Sequence, residues 1–125
     1  MSVIINGKQF NAEYLEPKQF GKGMMGRNKL DGCMVFKMGK GHHSFWMKNC
    51  LIPLDIVFVL NNRISRIHQN CPIPEPHAMN PPHYTGLGDH VIEFPAGTAS
   101  NWKVGDKVTM YLGSPQNLIR PRTSF

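Results

Sequence analysis

Short apolar runs separated by turn residues set the pattern of the chain and predict strands in preference to long helices. "SVII", then Asn6-Gly7, then "KQFNAEYL" reads as strand, turn and strand, because Asn-Gly tolerates the positive φ angles of a tight hairpin. After Pro17, Phe20, Met24 and Leu30 give "KQFGKGMMGRNKL" one apolar side and predict a short helix, weakened by three glycines. "CMVFKM" suits a strand, and Gly39 to Gly41 predict a loop behind it.

The densest apolar stretch is "SFWMKNCLIPLDIVFVL", where "HSFWMKN" and "LDIVFVL", joined by "CLIP", predict a buried hairpin. Phe45, Met47 and Asn49 share one face of the first strand, with Trp46 and Lys48 on the other. In the second, Asp55, Val57 and Val59 oppose Leu54, Ile56, Phe58 and Leu60. Apolar side chains on both faces predict cover on both sides. Asn61-Asn62 predicts a tight turn into the half-exposed "RISRIHQ". Five prolines between Pro72 and Pro82 cannot donate to a ladder and predict an extended surface loop. "HVIEF" and "KVTMYL" are further strands, with "PAGTASNWKVGD" a short helical or turn segment between them. The expected fold is mainly β: a single-domain small β-barrel or jelly-roll-like sandwich over residues 1–113, with one or two short helices. Residues 114–125, basic and proline-containing, are expected to form an arm.

Composition narrows the function classes. At 125 residues the chain is one domain, and 12 glycines with 10 prolines favour turns. The longest apolar run, Leu51 to Leu60, contains Pro53 and Asp55 and is too short to cross a bilayer as a helix. "MSVIINGKQF" has no basic region followed by an apolar stretch, so no secretion signal is expected. The expected location is a cytoplasm, or a viral particle assembled in one, with no membrane partner. A net charge of +6 could attract nucleic acid, but the Lys and Arg residues are scattered, so no nucleic-acid partner is expected. Cys33, Cys50 and Cys71 contain no C-x-x-C pair and cannot all pair, which reads as three partly buried thiols.

The succession "GMMGRNKLDGCMVFKM", "FWMKNCLIPLDIVFV", "RISRIHQNCPIP", "YTGLGD" and "VIEFPAGTASNWKVGDKV" resembles the domain of unknown function 192 family, found in bacteria, archaea and some of their viruses. The resemblance runs from about Gly23 to Val108, and F-W-M-K-N followed by P-L-D is its most specific part. It implies a compact β-rich domain of jelly-roll or barrel type with short helical insertions. It implies no reaction, so no catalytic role is transferred. The resemblance implies that many relatives begin with an export signal, whereas none is expected from "MSVIINGKQF". Cys50 stands where the family more often has Thr, which argues against a required nucleophile there. "GKGMMGR" lacks the phenylalanine that commonly precedes the family's arginine.

Asp55 is the most informative polar residue, because a buried carboxylate is costly unless paired or hydrogen-bonded. Lys48, Arg27 or backbone N–H groups are its expected partners in a structural role. In a functional role the same carboxylate would be a general base or ligand anchor, with Lys48 and Asn49 shaping an anion or carbonyl site. The structural role is favoured, since buried ion pairs serve more often as specificity devices than as catalysts. Trp46 could stack on a sugar or a base but more often fills a β core. The candidate ligand-binding set is thus Trp46, Lys48, Asn49, Asp55 and Arg27.

Cys71, Glu75, His77 and His83 share one loop, yet lack the tight paired spacing of zinc sites. The spacing of Met24, Met25, Met34, Met38 and Met47 is irregular for thioether binding of Cu(I), and methionine routinely fills cores. "FGKGMMGRNK" departs from the phosphate-binding G-x-x-x-x-G-K-[ST] pattern. No catalytic residue, metal or cofactor is expected. The preferred reading is a non-catalytic binding or structural module that docks on other protein chains through the Pro72–Pro82 loop and the C-terminal arm. The alternative is a small-molecule-binding domain or an enzyme whose polar site surrounds Asp55.

Overall fold

The computed structural model describes residues 1–112 and is built from strands. In chain order these are β1 (Ser2–Ile5), β2 (Lys8–Leu15), β3 (Cys33–Trp46), β4 (Leu54–Leu60), β5 (Arg63–Cys71), β6 (His83–Pro95) and β7 (Val108–Tyr111). They form one sheet in the order β5-β4-β6-β3-β2-β1-β7, antiparallel except for the β2–β3 pair. The sheet curls until its two edges meet at one end. There Ile64 N–H donates to Asp106 (2.9 Å), and Gly105 and Val108 donate to Ile64 and Asn62 (2.8 Å each). The result is a half-barrel, within the expected mainly β class.

Both predicted tight turns form: Asn6-Gly7 has φ of 51° and 78°, and Asn61-Asn62 has 51° and 63°. Other expectations need correction. "HSFWMKN" and "LDIVFVL" do not pair, because β3 and β4 are both hydrogen-bonded to β6, which lies between them. Gly39 to Gly41 do not end a strand; the ladder slips register between Lys37 and Gly41 and continues. β6 begins at His83, well before "HVIEF". Gly86 permits this early start, since a Cβ there would stand 2.6 Å from Cγ of Phe58. The only helical element among the described residues is the 3-10 helix Pro17–Lys22, begun by Pro17 and by Gln19 Oε1 accepting from Glu16 N–H (3.1 Å). "PAGTASNWKVGD" is a series of turns. The boundary at 113 and the arm at 114–125 lie outside the described residues.

Two apolar clusters flank the sheet. Inside the curl, every strand contributes, including Val3, Ile5, Val57, Ile92 and Val108. Phe10, Phe94 and Trp102 meet edge-on there at 4.9–5.7 Å. The tryptophan that fills this interior is therefore Trp102, not Trp46. On the outer face Met34, Phe36, Ile56, Phe58 and Val91 lie under Met24, Leu30, Met47 and Cys50, which come from the connections around β3. β4 is covered on both faces, as its pattern predicts.

Candidate functional site

The covering of the outer face is incomplete. A cleft of about 260 Å³ opens between the 3-10 helix, β3 and the Met47–Cys50 turn. Phe20, Met24 and Met25 line one side, Phe36, Met38, Phe45 and Trp46 the β3 side, and Lys48 and Cys50 the turn; Glu93 of β6 also reaches it. Local chemistry explains the shape. Asn49 takes φ of 60°, closing a turn in which Cys50 N–H donates to Met47 (3.0 Å), while its own carbonyl accepts from Gly26 N–H (2.9 Å). That contact and the Met25–Cys50 bridge tie the two connections together at the cleft. Phe20, Phe36 and Phe45 follow one another edge-to-face at 5.3 and 5.1 Å along its wall.

The sequence-predicted residues separate. Trp46 and Lys48 reach the cleft: Trp46, at the end of β3, is 40% exposed, and Lys48 Nζ lies 5.2 Å from its ring centroid. Trp46 also faces His83, its partner in register, at 5.5 Å. Asn49 shapes the turn and lines, with Lys48, a second cleft of about 300 Å³ beside the proline loop. Arg27 makes a bidentate pair with Glu13 (2.7 and 2.9 Å) at the surface.

Asp55 faces the other way. It is fully buried in the half-barrel interior, its Oδ1 accepting from Asn70 N–H (2.8 Å) and its Oδ2 from Ala99 N–H (2.7 Å). β5 bulges at this point, between the Leu54–Cys71 and Ile56–His68 pairs, and Asn70 takes φ of 53°. The carboxylate thus satisfies amides that the bulge and the turn after β6 leave unpaired. Of the partners expected for Asp55, the backbone N–H groups are the ones present. Lys48 and Arg27 are engaged elsewhere.

Glu93 is the residue sequence reasoning missed. It is 4% exposed, its Oε1 has no hydrogen-bond partner among the described residues, and burial pushes its carboxyl up to about 8. A glutamate inside "VIEF" was a faint signal, because nothing local says that both faces of β6 are covered. Cys50 and Cys71 are buried thiols on the same side of the sheet, each pushed up to about 11, mainly by desolvation. Both are neutral at physiological pH and poor nucleophiles. Cys33, in the interior cluster, is pushed up to about 12. The three thiols are more deeply buried than the sequence suggests. Among the described residues no group of three or more His, Cys, Asp or Glu could hold a metal ion, and no helix is long and apolar enough to cross a membrane.

Comparison with known proteins agrees with this architecture. A family model for a domain of unknown function, described as "Uncharacterized ACR", matches residues 1–110. No curated protein matches the sequence. A solved structure of a protein of unknown function from Novosphingobium aromaticivorans is similar, with a TM-score of 0.73 and 31% identity over 87% of this chain and 84% of that one. A Sinorhizobium meliloti protein provisionally called a transcription regulator is similar at a TM-score of 0.68 and 28% identity, over 86% and 89% of the two chains.

Proposed function

Because the chain belongs to the domain of unknown function 192 family, which describes a fold and assigns no reaction, we propose from its own geometry that it is a non-catalytic binding module for a small, mainly apolar ligand. The observation that carries this reading is Glu93, which lines an open, apolar cleft and whose buried Oε1 has no hydrogen-bond partner among the described residues. A buried carboxyl without a hydrogen bond is costly, and a ligand group that completes its bonding recovers that energy on binding. Aromatic and thioether walls would supply the apolar contact. Compared with the site expected around Asp55, this one keeps Trp46 and Lys48 and replaces the carboxylate.

The test is a small-fragment screen read by amide NMR shifts. Hits are expected to perturb Met24, Trp46 and Glu93 together, and Trp46→Ala to weaken them about tenfold while the fold is kept. Hits confined to other surfaces, or a Trp46→Ala protein that binds unchanged, would remove the proposal.

A second reading, docking on another protein chain or in an assembly such as a virion, is supported by the proline loop. Ile73 and Met79 are 47% and 92% exposed there, beside Leu51 at 52%. Replacing Ile73 and Met79 with serine should abolish any stable assembly detected by light scattering with a purified partner. An unchanged assembly would dismiss the loop. The role in the Sinorhizobium protein's name would need a concentrated basic surface, and the scattered Lys and Arg residues give it little support.

A further inference from the structure

We infer that the ligand of this cleft carries an ammonium group that pairs with Glu93, an inference that rests on the small-ligand reading above. Glu93 is the polar side chain built into the site: it is 4% exposed and aligned in register with Met34 of β3 and Ile56 of β4, neither of which can bond it. The other polar groups at the cleft are already committed or solvated. Ser44 Oγ is 2.9 Å from His83 Nδ1, and Lys48 Nζ sits over the Trp46 ring. An ionised carboxyl offers acceptors only, so its best complement is a cationic donor.

The walls favour the same charge. Phe36 and Phe45 present π systems, electron-rich faces that attract a desolvated cation, and Met24 and Met38 add polarizable thioethers. A ligand anion would have Lys48, whose charge lies at the wet rim, and the single O–H of a protonated Glu93, with no ion pair inside the cleft. The volume of about 260 Å³ suits a free small amine better than a folded chain segment.

Binding at neutral pH requires Glu93 to give up its proton to solvent as the ammonium arrives. Affinity should therefore rise with pH until the carboxyl of the free protein is ionised, near 8. The other titratable groups facing Glu93 are the thiols of Cys50 and Cys71, which stay protonated throughout that range, with Lys48 at the rim.

The experiment uses phenethylamine, with 2-phenylethanol and 3-phenylpropionate as neutral and anionic counterparts, titrated calorimetrically between pH 6 and pH 8.5. The amine stays charged over this interval. Its affinity should rise about tenfold per pH unit below 8, with a matching proton release, while the alcohol stays flat. Glu93→Gln should abolish both the rise and the preference for the amine. Equal affinity for amine and alcohol at pH 8.5, or tighter binding of the propionate, would overturn the ammonium inference and leave the cleft as a ligand site. No binding of any of the three would overturn both.

Discussion

Asp55 and Glu93 lie on neighbouring strands, Asp55 opposite Phe94 and Glu93 opposite Ile56, so one register step separates them and the pleat sends them to opposite faces. Both are buried. Asp55 receives two backbone N–H groups and is closed off from any ligand. Glu93 lines a cleft, and its Oε1 receives none among the described residues. Burial alone therefore does not separate a structural carboxylate from a binding one. The difference lies in the backbone around each: a bulge and a turn aim spare amides at Asp55, whereas Glu93 sits within a regular ladder that has already used its amides.

The contrast can be broken first at Asp55. Asp55→Ala would leave the Asn70 and Ala99 amides without partners, and the expected loss is about 3 kcal/mol in urea unfolding. A loss under about 1 kcal/mol would mean that these bonds do not hold the interior together.

Glu93→Gln should act with the opposite sign. The native carboxyl, near 8, retains a proton that the unfolded chain releases near its ordinary value of 4.5. Native stability therefore falls as pH climbs through that window. Glutamine removes this fall, so the variant's advantage in Tm should be larger at pH 8.5 than at pH 5 by at least about 5 °C. An equal difference at both values would place the carboxyl in contact with an unrecognised partner.

The smallest effect sharpens the scale. Arg27→Gln removes the surface pair with Glu13 and should change stability by less than about 0.5 kcal/mol. If it matched Asp55→Ala, burial would not be the deciding variable.

Local chemistry in the sequence revealed what local chemistry controls. Asn6-Gly7 and Asn61-Asn62 form the expected turns, and the two-sided apolar pattern of "LDIVFVL" reports a covered strand. What "CLIP" joins was not legible, because the partner of β3 and β4 arrives from β6, some forty residues further along. Trp46 illustrates the same limit. Its side chain looks like core, but β3 ends at that residue, and the interior position is taken by Trp102 from a segment with little regular pattern. Glu93 was hidden for a related reason: which face of β6 is sealed, and where the seal is incomplete, depends on the 3-10 helix and the Met25–Cys50 bridge.

The pairing of β1 with β7, Val3 beside Met110 and Ile5 beside Val108, has a consequence for synthesis. A ribosome delivers the first hairpin early, yet Val3 and Ile5 lack their neighbour until more than a hundred residues have been made. Closure is therefore a late event with high contact order, in the slower range typical of all-β domains. Until then the β1 edge that pairs with β7 keeps a row of backbone N–H and C=O groups without ladder partners.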